Sequence, residues 1–199
     1  MSPRRLLVIE HEADAPVALF GEWLTGVGVE LEVIRPWKGD PVPSQVATGG
    51  LVVLGGAMAA EDDDVAPWLP AVRSLLREAV PAGVPTLGIC LGLQLLALGR
   101  GASTYKLKFG HRGQNKTVVF PDGRAMIVSE NHGYAVDPRS LGPGGLRVWG
   151  TNPDDGTLEG LRDARGTTIA LQGHPEGHPG PQEAGFVFDL FVRKVKRRT

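Results

Sequence analysis

The chain has 199 residues, of which 42% are hydrophobic and 22% charged, and its formal net charge is −1. This length is enough for one well-packed domain, the composition is that of a globular protein, and no apolar run is long enough to span a membrane. The one cysteine, Cys90, excludes an internal disulfide and a cysteine-cluster metal site. Because the first apolar run, at 6–9, is too short for the core of a signal peptide, we expect a cytoplasmic protein.

The first hundred residues alternate between short apolar runs and helical patterns. Buried strands are predicted at 6–9, 29–34, 51–54 and 85–89, and helices at 16–27, 65–80 and 91–98. Three aspartates, Asp62, Asp63 and Asp64, stand before the second helix, where negative charge suits the positive end of the helix dipole. The alternation predicts an α/β fold with a doubly wound, mostly parallel central sheet that is flanked by helices.

The second half of the chain is richer in strands, which are separated by glycine and proline turns. Strands are predicted at 117–120, 125–129, 146–151, 157–161 and 167–171, and a last helix at about 182–195. The apolar side of that helix consists of Phe186, Val187, Leu190 and Phe191. Because neither an internal repeat nor a linker interrupts the pattern, we predict a single domain over residues 1–199.

Charge is spread unevenly along the chain. Residues 1–100 carry 7 Lys and Arg against 12 Asp and Glu, whereas residues 101–199 carry 14 against 10. Five basic residues are concentrated at the end: Arg193, Lys194, Lys196, Arg197 and Arg198. We interpret them as a solvated helix end, where cations suit the dipole, and we expect neither nucleic acid nor a membrane as a partner.

The sharpest local motif is a glycine-flanked cysteine between a strand and a helix. Gly88 and Gly92 stand two residues either side of Cys90, which is the nucleophile-elbow pattern with Cys in place of Ser. Side chains at the two glycine positions would collide in such a strained turn. The N-terminus of the following helix favours a thiolate and can bind an oxyanion, so Cys90 is the candidate nucleophile.

A histidine and a glutamate in the second half supply the partners that a cysteine nucleophile needs. His174 and Glu176 follow the predicted strand at 167–171. The imidazole can take the thiol proton and later protonate a leaving amine, while the carboxylate holds the other ring nitrogen. Gly55 and Gly56, after the strand at 51–54, let the backbone approach a ligand and offer an N–H group.

Together these motifs resemble those of class I glutamine amidotransferases, and the resemblance covers nearly the whole chain. It implies a flavodoxin-like fold, Cys90 as the nucleophile, His174 as the acid and base, and Glu176 as the residue that orients the histidine. It also implies an oxyanion hole formed by the backbone N–H groups of Gly56 and Leu91.

The two halves of the chain resemble different branches of this family. Residues 8–12 and 55–58 resemble GMP-synthase-like or stand-alone amidotransferases, whereas the second half resembles the small, glutamine-hydrolysing chain of carbamoyl phosphate synthetase. The matching stretches of the second half are 106–115, 130–136, 155–160, 172–176 and 179–181. The latter family implies a glutamine pocket formed by Gln94, Asn131, Gly133 and Tyr134. The loop Gly-Gly-Ala-Met at 55–58 departs from that family, whose usual N-terminal docking domain has no counterpart in this sequence.

The resemblance implies an enzyme that hydrolyses L-glutamine through a glutamyl thioester, and we expect no cofactor and no metal. Because the sequence contains no Gly-x-x-x-x-Gly-Lys-Ser/Thr pattern, we expect the ammonia to pass to an ATP-dependent synthetase. That partner would be a carbamoyl-phosphate-synthetase-like subunit or another amidating enzyme. Two alternatives remain: a stand-alone amidase or γ-glutamyl hydrolase, and a non-catalytic regulatory or binding module on the same fold.

Overall fold

The computed structural model describes residues 4–177 and 185–197. The first half alternates strands with helices, as predicted from the apolar periodicity. In chain order its elements are β1 (Arg4–Ile9), α1 (Ala18–Gly26), β2 (Val29–Ile34), β3 (Leu51–Val53), α2 (Leu69–Ala79), β4 (Thr86–Ile89) and α3 (Leu91–Gly99).

The second half is built from five strands and one helix within the described residues. These elements are β5 (Thr104–Val119), β6 (Ala125–Val136), β7 (Leu146–Thr151), β8 (Leu158–Asp163), β9 (Thr168–Leu171) and α4 (Gly185–Arg197). The N-terminal part of the predicted last helix, together with Pro179, Gly180, Pro181 and Arg198, lies outside the described residues.

All the described strands belong to one sheet, in the order β2-β1-β3-β4-β9-β8-β7-β5-β6. The pairings from β2 to β9 are parallel, and those from β9 to β6 are antiparallel. The predicted α/β fold with a strand-rich second half is therefore confirmed. β9 joins the two regions, since it pairs in parallel with β4 and antiparallel with β8.

The core forms a layer on each face of the parallel region, because successive strand residues point to opposite faces. Leu7 and Ile9 of β1 pack in the layer that contains α2 and α3. Leu6 and Val8 of the same strand pack in the opposite layer, with α1 and α4. The apolar runs predicted as buried strands are apolar throughout because both of their faces are covered.

The antiparallel region curls so that its edge strand, β6, contacts the chain segment that follows β9. Ser129 of β6 forms a β-bridge with His174, and the backbone N–H of His174 donates to the carbonyl of Ser129 at 2.8 Å. This contact brings a residue from the far edge of the sheet to the end of its central strand. The curl therefore decides which residues of β5 and β6 reach the carboxyl ends of β3, β4 and β9.

Two sequence predictions need correction in this architecture. β5 and β6 are much longer than the predicted strands at 117–120 and 125–129. The predictions were too short because the additional parts of these strands are largely polar and show no clear apolar alternation. The helix predicted from residue 65 begins at Leu69, so the aspartates at 62–64 do not occupy its first turn. Asp63 instead pairs with Arg73 at 2.7 Å, and this hydrogen bond holds the pKa of Asp63 below its usual value.

None of the helices in the described part of the chain is both long and apolar enough to cross a lipid bilayer. The basic residues Lys194, Lys196 and Arg197 lie in the last turn of α4, at the helix end that the sequence pattern predicts for them. Cations there oppose the partial negative charge of the helix C-terminus.

Candidate active site

Cys90 lies in the turn between β4 and α3, with a backbone conformation that side chains rarely adopt. Its φ is 53° and its ψ is −108°, and among the described residues it alone combines a positive φ with a side chain. Such strain of about 1–3 kcal/mol persists only where the surrounding structure holds it, and it is concentrated at functional sites. The backbone N–H of Cys90 donates to the carbonyl of Leu171 at 2.8 Å, which fixes the turn to β9.

The two flanking glycines are required by close backbone packing, as the sequence pattern predicts. A Cβ atom at Gly92 would lie 2.1 Å from the carbonyl oxygen of Val53. A Cβ atom at Gly88 would lie 2.8 Å from the carbonyl oxygen of Gly92. Neither position can hold a side chain unless the backbone moves. β3, β4 and the start of α3 therefore form a tightly fitted support under the sulfur.

His174 and Glu176 lie beside the cysteine, in the segment that follows β9. The Nδ1 atom of His174 is 2.7 Å from Oε1 of Glu176. Burial lowers the pKa of His174, but its contacts with Cys90 and Glu176 outweigh burial and raise that pKa to about 10. These contacts therefore favour the protonated form of the His174 imidazole.

Gly55 allows the cysteine and the histidine to approach one another across the end of β3. A Cβ atom at Gly55 would lie 3.0 Å from Cε1 of His174 and 3.4 Å from Cβ of Cys90. Because glycine leaves this space open, β3 can end directly below the Cys90–His174 pair. His174, Glu176 and Gly55 also line a cavity of about 280 Å³ on this side of the pair.

A second cavity, of about 370 Å³, opens over Cys90 on the other side. Its walls contain every residue that the sequence analysis assigned to the oxyanion hole and the glutamine pocket. These are Gly56, Leu91, Gln94, Asn131, Gly133 and Tyr134. The volume lies at the small end of the range for ligand-binding cavities, which suits a metabolite the size of an amino acid.

Gln94 links the floor of this cavity to the cysteine through a chain of amide hydrogen bonds. Its Nε2 atom donates to the backbone carbonyl of Tyr134 and to Oε1 of Gln172, both at 3.1 Å. Nε2 of Gln172 in turn lies 3.7 Å from the sulfur of Cys90. The side-chain amide of Gln94 is thus held in place by the protein, and its NH₂ group is already engaged.

Gly56 and Leu91, the residues predicted to form an oxyanion hole, line the cavity beside Cys90. Leu91 is the first residue of α3, and the first N–H groups of a helix have no acceptor within the helix. Gly56 lies against Leu91, because a Cβ atom at Gly56 would be 3.1 Å from Cδ2 of Leu91 and also 3.1 Å from Cβ of His11. The Gly-Gly-Ala-Met loop therefore borders the cavity directly, although its sequence departs from the small-chain pattern.

His11 is buried against this loop and receives a hydrogen bond from Trp68. The indole N–H of Trp68 donates to Nδ1 of His11 at 3.0 Å, so the neutral ring carries its proton on Nε2. Burial lowers the pKa of His11 to about 4, which keeps the ring uncharged at neutral pH. His11 thus supports the loop that carries Gly56.

Several charged residues that were not predicted to belong to the site also reach this region. Lys106, Arg112 and Asp62 also line the cavity over Cys90. Beneath it, His111, Glu130, His132 and Glu159 form a buried cluster, in which burial and the neighbouring carboxylate of Glu130 raise the pKa of Glu159 to about 9. In the sequence, the only local indication of this cluster was that Glu130 and His132 are two residues apart and therefore lie on the same face of a strand.

Comparison with known proteins gives a family match over most of the chain. A model of class-I glutamine amidotransferases matches residues 23–194. The carbamoyl phosphate synthase small chain of Pyrobaculum aerophilum is 51% identical over 131 residues, which are 65% of this chain and 37% of that protein. The small chain of Pyrococcus furiosus is 40% identical over 172 residues, which are 84% of this chain and 44% of that protein. This chain thus spans less than half the length of these curated relatives.

The solved structures match over a larger share of the chain, at lower identity. A protein from Thermoplasma acidophilum, assigned as part of a GMP synthase, superposes with a TM-score of 0.75 at 20% identity. The superposition covers 98% of this chain and 96% of that chain, and it shows that the two share a fold.

Proposed function

The chain belongs to the class-I glutamine amidotransferase family, and on that premise we propose that it hydrolyses the side-chain amide of glutamine and delivers the ammonia to a synthetase. Membership confirms the resemblance drawn from the motifs. The observation that carries the proposal is the position of Cys90, strained in its turn, between the His174–Glu176 pair and a cavity of amino-acid size.

In the first half-reaction, the sulfur of Cys90 attacks the side-chain amide carbon of glutamine. The electron pair of the C=O bond moves to oxygen, where the N–H groups of Gly56 and Leu91 stabilise the negative charge. The imidazolium of His174 then donates its proton to the amide nitrogen as the C–N bond breaks. Ammonia leaves, and a glutamyl thioester remains on Cys90.

In the second half-reaction, water hydrolyses the thioester. His174 is now neutral and accepts a proton from the attacking water, and the same N–H groups bind the second oxyanion. The C–S bond breaks and releases the sulfur and the γ-carboxylic acid, which loses its proton to solvent as glutamate leaves. The proton taken from water remains on His174 and restores the imidazolium beside the sulfur. Glu176 holds the ring by Nδ1 throughout, so that Nε2 faces the reacting atoms.

The charged walls of the cavity suit free glutamine rather than an amide within a peptide. Lys106 and Arg112 supply cations for an α-carboxylate, and Asp62 supplies an anion for an α-ammonium group. The exposed side chain of Asn131 adds a neutral donor and acceptor. We therefore assign the substrate as the zwitterionic amino acid, with its side-chain amide directed towards Cys90.

The partner we propose is the ATP-dependent large chain of a carbamoyl phosphate synthase, because the curated relatives carry the name of its small chain. Ammonia is mostly protonated in neutral water and is then a poor nucleophile. Transfer within a complex keeps it unprotonated until it reacts, which gives docking a chemical reason.

The test is ammonia release from L-glutamine by the purified chain, measured with and without the large chain from the same source. We expect slow release alone, and release at least 10-fold faster in the complex with ATP and bicarbonate. Cys90→Ala should lower the rate by 10³-fold or more while leaving the far-ultraviolet circular dichroism unchanged.

Each of the other outcomes contradicts a defined part of the proposal. Release by Cys90→Ala at the wild-type rate would exclude the cysteine mechanism. Fast release that the large chain does not change would favour a stand-alone amidase, and the absence of any release in the complex would favour a non-catalytic module.

A further inference from the structure

Four buried side chains from three strands converge beneath the cavity, and the proposed reaction uses none of them. They are His111 of β5, Glu130 and His132 of β6, and Glu159 of β8. One ligand atom from each lies within 4.8 Å of those of the other three. We propose that this cluster, hereafter the His₂Glu₂ cluster, is a binding site for one divalent transition-metal ion, with Zn²⁺ as the best match.

Both histidines are already oriented as metal-bound histidines are, with one ring nitrogen held and the other directed inwards. Nε2 of His111 lies 2.9 Å from Oδ2 of Asp155, and Nδ1 of His132 lies 2.9 Å from the backbone carbonyl of Tyr134. A carboxylate or carbonyl on the outer nitrogen is the usual second contact of a metal-bound histidine, because it fixes the tautomer and the ring plane. The inner nitrogens, Nδ1 of His111 and Nε2 of His132, are then free to act as ligands.

The spacing of the inner atoms fits a tetrahedral ion. Nδ1 of His111 is 3.1 Å from Oε2 of Glu130 and 3.2 Å from Oε1 of Glu159, and Nε2 of His132 is 3.4 Å from Oε2 of Glu130. Bond lengths of 2.0–2.2 Å around tetrahedral zinc place neighbouring ligand atoms about 3.4 Å apart. Nε2 of His132 lies 4.0 Å from Oε2 of Glu159, and the ligand atoms of all four residues lie within 4.8 Å of one another, so a bound ion would draw the side chains slightly inwards.

The ligand atoms of the cluster are not satisfied by hydrogen bonds. Among the described residues, no correctly directed hydrogen bond reaches the inner nitrogens of either histidine or the carboxylate oxygens of Glu130 and Glu159. Nδ1 of His111 lies between the two carboxylates, and one N–H group cannot point at both. A cation between the four groups would engage all the inner atoms at once.

The charge of the cluster also favours a bound cation. The side chains of Glu130 and Glu159 are fully buried, and with both carboxylates ionised the two carboxylates and two neutral imidazoles sum to a charge of −2. Uncompensated buried charge is strongly unfavourable, so it must be neutralised by protons or by cations. Asp155 contacts His111, and Lys116 is the cation near Glu159, but Lys116 lines an open cavity and contributes one charge only.

The types of ligand indicate which metal the cluster would bind, and a neighbouring cavity gives access from solvent. Two imidazoles and two carboxylates are borderline ligands that suit Zn²⁺ better than Mg²⁺ or Ca²⁺, which prefer oxygen alone. A cavity of about 470 Å³, with Asp154, Asp155 and His111 in its walls, leads from solvent to the cluster. An ion bound there would hold β5, β6 and β8 together under the wall that carries Tyr134.

The experiment is zinc binding by the full chain after treatment with EDTA and dialysis. Calorimetric titration with ZnCl₂ should give one ion per chain, and the melting temperature should rise with zinc concentration. The isosteric double variant Glu130→Gln with Glu159→Gln should bind at least 100-fold more weakly. Its metal-free melting temperature should equal or exceed that of the metal-free wild type, because two buried charges are gone. Cobalt in the wild-type site should give the visible bands of a tetrahedral complex.

Cys90→Ser is the matched control, because Cys90 and His174 are the other pair that could bind zinc. This variant should keep its zinc while losing ammonia release, so failure of the metal proposal and failure of the glutaminase proposal are separate results. The metal proposal is overturned if the wild type binds no zinc, which would mean that protons neutralise the cluster. It is equally overturned if the double variant binds as tightly as the wild type or if Cys90→Ser loses the zinc.

Discussion

The parallel region, β1 to β4 with the helix α3, buries mainly apolar side chains and positions one reactive sulfur through backbone packing. The antiparallel region, β5 to β8, buries His111, Glu130, His132 and Glu159 and positions them by pairing across strands. The first region tolerates no added atom next to Cys90, whereas the second holds ionisable groups whose charge must be balanced. A nucleophile fixed by steric packing thus lies near a region of buried ionisable groups, and the following variants test the steric and the electrostatic effects in turn.

The largest effect should come from a single methyl group in the parallel region. Gly92→Ala places a Cβ atom 2.1 Å from the carbonyl oxygen of Val53, and both backbones are buried. We expect the free energy of unfolding to fall by about 4 kcal/mol, at the upper end of single-substitution effects. Urea unfolding monitored by circular dichroism measures it.

Gly26→Ala is the matched control for that variant. Gly26 is the last residue of α1, and an added Cβ there meets nothing within 4 Å. Stability should be unchanged or should rise by up to about 1 kcal/mol, since alanine favours a helix. Equal stability of the two variants would show that the turn beneath Cys90 is not sterically fixed.

Among the electrostatic effects, removal of the carboxylate that holds His174 should impair catalysis without unfolding the protein. Glu176→Ala leaves Nδ1 of His174 without its 2.7 Å partner, so the ring loses its orientation and the charge that favours imidazolium. We expect kcat for ammonia release to fall by about 100-fold, less than in Cys90→Ala, with little change in KM.

Glu176→Gln separates these two contributions, because the amide oxygen still accepts from Nδ1 but carries no charge. Its kcat should lie between those of the wild type and Glu176→Ala. A Glu176→Ala enzyme at the wild-type rate would remove Glu176 from the mechanism.

Acid should lower stability through His11, a buried ionisable group next to β1. The pKa of His11 is about 4 in the folded chain against 6.5 for a free histidine, so the unfolded state binds the proton first as the pH falls. Its contribution to stability is complete above pH 6.5 and is lost between pH 6.5 and 4. The loss should reach roughly 2–3 kcal/mol by pH 4.5.

His11→Gln keeps an acceptor for the Trp68 N–H but does not titrate. The difference between wild-type and variant unfolding curves at pH 7 and pH 4.5 therefore isolates His11 from the buried glutamates, which titrate in both proteins. If the difference is the same at both pH values, His11 is not buried in the neutral form.

The smallest predicted effect separates the strain at Cys90 from the chemistry of its sulfur. Cys90→Ala keeps a side chain at a φ of 53°, whereas Cys90→Gly removes the strain. Both should lack ammonia release, but the glycine variant should be more stable by about 1 kcal/mol, since strain relief exceeds the added chain entropy. If the alanine variant is the more stable of the two, the turn carries no strain.

Much of the parallel region could be predicted because each of its signals is local. Apolar runs such as 51–54 identify buried strands, and the glycines either side of Cys90 identify the strained turn. The His174–Glu176 pair is likewise two residues apart in sequence. Such patterns depend on the backbone of one segment, so they can be recognised without knowledge of what packs around it.

The antiparallel region was harder to predict because its order comes from contacts between distant residues. The polar stretch before residue 117 gave no strand pattern, yet it forms most of β5 by pairing with β6. The start of α2 was placed too early because the aspartates at 62–64 serve turns and an ion pair with Arg73 instead of a helix end. Local propensity cannot anticipate pairings of this kind.

The sequence by itself determined the fold class, the family and the candidate nucleophile with its acid–base pair, because these depend on short motifs whose geometry is set by neighbouring residues. The resemblance already implied that Gly56, Gln94 and Tyr134 lie near the candidate nucleophile, and the tertiary structure places them with Cys90 in one cavity. Only the tertiary structure decided that four ionisable side chains meet beneath that cavity. The physical reason is the curl of the sheet, which closes through Ser129 and His174. It brings residues far apart in the chain within a few ångströms, where burial and charge decide their chemistry.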